Sequence, residues 1–336
     1  MNLDRKSTLE IISKVSPGIS TKGIIEETAC IMMDGDYMIT FNDRISIAHP
    51  YKTDFSCCIP AQEFTKTLQN AKTDDLEVNC SDKEMTLVNK KFRAGIGLVE
   101  NKIQEALPIK HIDEIKWKVI PKTLLEGIEY CLFSVAKASS VPYLNCVAIK
   151  GNTIVSSDNF RVSLFTMDLP LSKRDILIPL TSAIELVKMK DVTHFALNDS
   201  WIYFKSKSGV FFFCRVVEAE FPDVEGMFEV SPEAVKIELP SGNLLEALEA
   251  CSVFSDSIDV DIKVEINIEQ GVLYCRSSNQ KGWMEFSVDS TECPDLKFEV
   301  HPDFLKAVLG ILTEVILDDN KMHIHAENFK HLVALC

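Results

Sequence analysis

The sequence contains no C-x-x-C, no G-x-S-x-G and no phosphate-cradling glycine loop. It also has no apolar run near the roughly 18 residues that a membrane span needs. The first three absences remove the common zinc, nucleophilic and nucleotide motifs whose mechanics are readable from spacing. The fourth argues against a membrane-spanning helix, and the start, MNLDRKSTLEII, lacks the apolar core of a secretory leader. A cytoplasmic chain is expected. Cations are scarce: 35 Lys and Arg stand against 50 Asp and Glu, a net charge of −15. That excludes a molecule coated in basic surface for gripping nucleic acid or membrane, though not a local basic surface. The eleven cysteines are odd in number and irregular in spacing. Cys57 and Cys58 are adjacent, and Cys131, Cys146 and Cys214 lie in apolar runs, so reduced, mostly buried thiols are expected.

What is present is one unit of about 110 residues written three times, within the usual domain size. Each copy opens on an amphipathic helix: LEIISKV from Leu9, LLEGIEYCLFSVA from Leu124, and LLEALEACSVF from Leu244. A strand-turn-strand follows, in YMITFNDRISIAHPY, TIVSSDNFRVSLFTM and VLYCRSSNQKGWMEFSV. Next, Pro60, Pro179 and Pro302 mark where a second helix begins, because proline's missing N–H costs nothing there. Two further strands close each copy. Hairpin turns imply antiparallel pairing, so the expected class is α+β, with helices packed on antiparallel sheet. The copies divide at 1–112, 113–232 and 233–336, with linkers around ALPIKHIDEIKWK and FEVSPEAVKIE.

Three kinds of chemistry compete for these residues. Asp158 and Arg161, three apart beside Phe160, could be an acid and an electrophile. His323 and His325 alternate along a strand and could share a metal, although a solvated strand face explains them more simply. The other two copies do not repeat the histidine pair. Nucleic-acid contact is the second possibility. Six helical segments, 4–16, 61–72, 121–137, 181–190, 243–252 and 301–312, hold ten cations against nine anions, so they are spared the acidity of the rest. Peptide docking is the third. PYLNC and EFPDVEGMF lie beside the Asp158 stretch, and the apolar HLVALC is expected to be a core strand whose last residues emerge into a pocket.

These residues resemble the bacterial sliding clamp family, the beta subunit of DNA polymerase III holoenzyme, along essentially the whole chain. The most specific stretch runs from Phe133 to Met167, where FSVAKASSVPYLNC and VSSDNFRVSLFTM are similar to the segment ending in that family's T-D-G-H-R-L turn. FPD at Phe221–Asp223 matches a second signature. The short length and the substitutions suggest a divergent member, and a phage genome is one source that fits. The resemblance implies a DNA clamp fold of three similar domains, with two chains closing head to tail into a ring. Helices would line the hole, sheets would form the wall, and the ring would encircle double-stranded DNA whatever its sequence. It implies no catalysis, no cofactor and no metal.

The resemblance also assigns residues. A partner-peptide pocket would comprise Leu144, Ser157, Asp158, Asn159, Phe160, Arg161, Val162, Pro222, Met227, Val333 and Leu335. DNA polymerase and other replication or repair proteins would dock there through short linear motifs, and a clamp loader is a further partner. Lys14, Lys66, Lys72, Lys122, Lys137, Lys188, Lys190 and Lys306 would face DNA. Leu68 and Phe92 would meet Val253 and Phe254 where two protomers join as a homodimer. Asn159 replaces the family's glycine, Phe160 its histidine, and Ala334 a frequent proline, while the arginine that often follows FPD is lost near Gly226. Two other readings remain open: a metal-dependent nucleic-acid enzyme using His323, His325 and a carboxylate, and a clamp-fold scaffold that does not close.

Overall fold

A computed structural model describes residues 1–22, 25–254, 263–289, 293–310 and 313–336. One element order is repeated three times. The first copy runs β1 Asn2–Asp4, α1 Arg5–Val15, β2 Cys30–Met33, β3 Tyr37–Phe41, β4 Ile45–Pro50, β5 Cys57–Pro60, α2 Ala61–Asn70, β6 Asp75–Cys80, β7 Glu84–Asn89 and β8 Phe92–Gly97. The second runs β9 Lys118–Val119, α3 Leu124–Cys131, β10 Cys146–Lys150, β11 Thr153–Ser157, β12 Arg161–Thr166, β13 Ile176–Pro179, α4 Leu180–Lys188, β14 Val192–Leu197, β15 Trp201–Ser206 and β16 Phe211–Arg215. The third runs β17 Val235–Glu238, α5 Ser241–Cys251, β18 Val264–Glu269, β19 Val272–Asn279, β20 Gly282–Asp289, β21 Leu296–Val300, α6 Pro302–Leu309, β22 Glu314–Asp318, β23 Lys321–His325 and β24 Phe329–Ala334. The last two residues of the expected 301–312 helix lie outside the described residues.

Why these residues make these elements is visible at the ends of the helices. Asp4 caps α1 by accepting the N–H of Ser7 at 2.7 Å. Pro60 and Pro179 end strands directly before α2 and α4, and Pro302 is the first residue of α6. A second device recurs. A buried hydroxyl on the first hairpin strand donates to the carbonyl that ends the first helix: Thr40 to Val15 at 2.6 Å, Ser156 to Cys131 at 2.6 Å, and Ser277 to Cys251 at 2.5 Å. Each bond satisfies a carbonyl that has no partner within its helix. The shared bond puts the three copies in register with one another. The helix that opens the second copy is shorter than its apolar spacing suggests, since α3 stops at Cys131 and a 3-10 turn, Leu132–Ser134, completes the segment.

Sheet pairing cuts across the copies. The chain packs as two units: unit 1 is 1–120 with 181–217, and unit 2 is 121–180 with 218–336. Unit 1 holds an eight-stranded sheet in the order β5-β2-β3-β4-β16-β15-β14-β9 and a four-stranded sheet β1-β6-β7-β8. Unit 2 holds β13-β10-β11-β12-β24-β23-β22-β17 and β20-β19-β18-β21. Each eight-stranded sheet is two four-stranded halves from neighbouring copies, joined antiparallel at β4–β16 or at β12–β24. Every described pairing is antiparallel, as expected from the hairpins. Unit 2 has a continuous apolar core from Leu244, Leu248, Ile266, Leu305, Met322, Ile324 and Val333. Every cysteine is free, and seven of the eleven are buried. Among the described residues no helix is long and apolar enough to cross a membrane.

Candidate functional site

The Asp158 turn joins β11 to β12 in unit 2. Its backbone needs a left-handed residue, and Asn159 supplies it at φ 75°, a conformation asparagine tolerates better than most side chains. The Asp158 carboxylate is fully used. Oδ1 accepts the N–H groups of Phe160 at 3.1 Å and Arg161 at 2.8 Å, and Oδ2 accepts Arg161 Nε at 3.0 Å and Nη2 at 2.8 Å. Both side chains of the pair are only 12% exposed. The Ser157 hydroxyl donates to the Arg161 carbonyl at 2.8 Å. A carboxylate with four donors is a turn-fixing group, with little left to abstract a proton. The Arg161 guanidinium lies 4.0 Å over the Phe304 ring, with Phe133 at 5.9 Å, so the ion pair is sandwiched by aromatic faces.

The end of the chain docks against this turn. Ala334 donates its N–H to the Phe160 carbonyl at 2.8 Å, Leu335 to Asn320 at 2.8 Å, and Cys336 to Glu299 at 2.9 Å. Register then separates the expected pocket residues. Arg161 pairs with Val333, and Val162 with Leu332. Because alternate residues face opposite ways, Arg161 and Val333 point to the helix side and Val162 to the other. Val333 is a core residue. On the outer face one row of directly opposed residues crosses five strands: Ser157, Val162, Leu332, His323 and Ile316. The 3-10 turn Glu225–Phe228 packs against β24. Beside the row, Phe221 meets Tyr143 edge to face at 5.4 Å, and its carbonyl accepts Lys150 Nζ at 3.3 Å. Leu144 and Val162 are buried, Leu335 is half-buried, and Pro222, Asn159, Met227 (40%) and Phe160 (55%) are exposed. Apolar surface is therefore exposed around a buried floor. Sequence reasoning singled out HLVALC but left its Leu332 off the pocket, and it missed Phe304, which carries no motif and joins the site only through packing.

The histidine pair is not the solvated strand face expected. His323 is fully buried, and neither of its ring nitrogens has a partner. His323 and His325 do face one way, their rings 5.9 Å apart, and burial lowers the pKa of both. Among the described residues no three His, Cys, Asp or Glu side chains converge in a way that could hold a metal. His331 lies on the opposite face, where its Nδ1 meets Ser163 Oγ at 3.0 Å and that hydroxyl meets Ser134 Oγ at 2.7 Å.

The eight lysines are split. Lys14, Lys188 and Lys190 line one cleft of about 720 Å3 in unit 1, together with His49, Glu185 and Asp191. Lys188 donates to Glu185 at 2.7 Å. Lys306 lies in a cleft of about 590 Å3 in unit 2 lined by Glu126, Glu129, Tyr130 and Phe133. Lys66, Lys72, Lys122 and Lys137 are exposed elsewhere. Of the expected contact residues between protomers, Phe92 opens β8 and is half-buried, Val253 is 65% exposed, and Phe254 packs its ring on Gly282 of β20. Leu68 corrects the expectation. It is fully buried in the unit 1 core on the inner face of α2, so it offers no surface to a partner.

Residues 118–223 match the family model described as DNA polymerase III beta subunit, central domain. No curated protein matches the chain by sequence. Three solved structures show the likeness in fold. A DNA polymerase sliding clamp from Bacillus subtilis superimposes with a TM-score of 0.84 at 18% identity, over 100% of this chain and 98% of that one. The beta subunit of the DNA polymerase from Streptococcus pyogenes gives 0.85 at 18%, over 100% and 99%. A sliding clamp from Pseudomonas aeruginosa bound to griselimycin gives 0.83 at 16%, over 100% and 98%. At these identities the shared property is the fold, and this chain has the sliding-clamp fold from end to end.

Proposed function

We propose that this clamp-fold chain, whose central part matches the beta-subunit family, is a non-enzymatic processivity factor that closes as a dimer around duplex DNA. One observation supports this most strongly. Within the chain, the fourth strand of one copy pairs with the last strand of the next: β4 with β16, then β12 with β24. The same rule applied once more asks β20 of the third copy to pair with a last strand of the β8 type. β8 and β20 each stand at an open edge of a four-stranded sheet among the described residues. A second chain supplies each partner, so a head-to-tail pair of chains joins both of its β8 edges to β20 edges. Three domains per chain, at 1–112, 113–232 and 233–336, then make a ring of six.

A closed ring holds DNA by topology, so contacts with phosphates can stay weak enough to slide. Polymerase and other partners dock by short apolar peptides beside the Asp158 turn, where Leu144, Val162 and Leu332 form the floor and Phe160, Pro222 and Met227 the exposed walls. Tethering makes rebinding intramolecular, so a modest peptide affinity suffices. No step in this account needs a metal, nucleotide or covalent intermediate. Light scattering across a dilution series tests closure: the expected mass is two chains, falling to one only at high dilution. A mass of one chain at every concentration would refute self-closure.

A further inference from the structure

The expected ring treats all six helices of a chain as equivalent walls for DNA, but their charges are not equivalent. The three helices assigned to unit 1, α1, α2 and α4, hold five cations, Arg5, Lys6, Lys14, Lys66 and Lys188, against three anions, Glu10, Glu63 and Glu185. The three in unit 2, α3, α5 and α6, hold one cation, Lys306, against five anions, Glu126, Glu129, Glu246, Glu249 and Asp303. Arg5 and Lys6 are both paired with Asp74, which leaves Lys14 as the cation of α1 without an ion pair among the described residues.

The contrast is sharpest at two clefts in repeat-equivalent places. Each lies between the first helix of one copy and the second helix of the next. In unit 1 the cleft between α1 and α4 brings Lys14, from the last turn of α1, together with Lys188 and Lys190 at the end of α4. His49 shares that cleft. The Asp191 carboxylate there is already engaged, accepting the Ser208 N–H at 3.0 Å. In unit 2 the corresponding cleft between α3 and α6 presents Glu126 and Glu129, and its single lysine, Lys306, stands 3.5 Å from Asp303. A phosphate entering the first meets three lysines against two carboxylates, Asp191 and Glu185, the latter engaged by Lys188 at 2.7 Å. A phosphate entering the second meets two carboxylates.

We infer that duplex DNA in the ring is carried by unit 1 alone, its backbone phosphates seated in the α1–α4 cleft, while the α3–α6 cleft turns the backbone away. This rests on the ring reading above and adds to it a direction: two contact tracks per dimer, one from each chain, with acidic walls between them. Contact confined to two tracks touches few phosphates at once, which keeps friction low.

The test compares two pairs of lysines, of which Lys306 is half-buried and the other three exposed. In the first variant Lys14→Gln is combined with Lys190→Gln; in the second, Lys137→Gln with Lys306→Gln. Each is titrated onto a fluorescein-labelled linear duplex by anisotropy over a salt series, after light scattering confirms an unchanged mass. Removing one lysine that neutralises a phosphate should lower the slope of log affinity against log salt by about one. The first variant removes two lysines from each of the two tracks and should therefore reduce the slope by about four, while the second should keep the parent value. Equal reductions from the two pairs, or none from the first, would overturn the one-sided track. Retention of the parent protein on nicked circular duplex is measured beside this. Retention with equal reductions refutes the track and leaves the ring standing, whereas failure to be retained refutes both.

Discussion

The two internal junctions are built alike and furnished differently. In unit 1, Asn42 caps the turn before β4, Asp43 takes the left-handed conformation at φ 67°, and Ile47 of β4 faces Phe212 of β16. In unit 2, Asp158 caps the equivalent turn, Asn159 takes φ 75°, and Ser163 of β12 faces His331 of β24. Ile45 on one side corresponds to Arg161 on the other, and Gly18 to Ser134. Where the first junction has Gly18, Ile47 and Phe212, the second has a hydrogen-bonded chain of Ser134, Ser163 and His331, with the Asp158–Arg161 ion pair beside it. The backbone solution is shared, so the side chains were free to diverge: the first junction gathers lysines on its helix side, and the second gathers aromatic rings around a fixed arginine. Under the proposed function, duplicated architecture lets one seam serve phosphate and the other serve peptide.

The comparison can be extended to a third junction, the one between chains, and there the effect should be largest. Phe133, two residues past the Cys131 carbonyl, packs edge to face on Phe329 and His331 of β24. Val253 is its equivalent, two past Cys251, and is exposed. If β20 receives a strand from a second chain as β12 receives β24, Val253→Asp should convert the dimer to monomers by light scattering with the fold intact. An unchanged mass would place the interface elsewhere.

Next in size is the ion pair that only unit 2 has. Arg161→Ala leaves the Asp158 carboxylate buried without its countercharge, and should cost roughly 3 kcal/mol in denaturant unfolding. Weakened binding of a polymerase-derived peptide should accompany it. A loss under about 1 kcal/mol, the range of exposed pairs, would show the pair to be peripheral.

Acid should then separate the two units. Burial first, and the nearby Arg161 guanidinium second, push the His331 pKa down from 6.5 to about 3. The unfolded chain takes up a proton below pH 6.5 that the folded chain refuses. Stability from this group is thus complete above pH 6.5 and falls as pH drops toward 3, by about 1.4 kcal/mol per pH unit. Between pH 6.5 and 5, before most carboxylates titrate, hydrogen exchange of β24 should accelerate beyond the intrinsic pH effect while β16, with Phe212 in that place, should not. His331→Phe should reduce the difference, the remainder coming from His323 and His325 on the paired strand β23, whose pKa values burial also lowers; an unchanged difference would show that His331 is not a source.

The smallest effect checks the equivalence itself. Thr40→Val, Ser156→Ala and Ser277→Ala each remove the hydroxyl that satisfies a helix-end carbonyl, and each should cost about 1 kcal/mol. Widely unequal losses would mean that the three copies rely on the bond differently.

How much of this was legible beforehand follows from what is local. The six helices, the hairpins and the proline boundaries are written in periodicity and turn residues, so they could be read. The strands Lys118–Val119 and Asn2–Asp4 are too short to show a period, and Cys30–Met33 is buried throughout and shows no alternation. The joining of β4 to β16 and of β12 to β24 is a choice among distant edges that no local pattern encodes. The same holds for the site. Asp158, Asn159 and Arg161 were readable as a turn, and Asn159 takes its left-handed angle. That Val333 faces the core, that Leu68 is buried, and that His323 is sealed from solvent depended on register and cover. Summing charge over six helices hid the division between the two units, because the surplus in one cancels the deficit in the other.

The central claim is topological, and retention on DNA tests it most directly. The protein is loaded onto nicked circular duplex, washed at a salt concentration that removes weakly bound protein, and half the sample is then linearised by a restriction enzyme. A ring stays on the circle and slides off the cut ends. Equal retention on both forms, or release from both, would contradict encirclement.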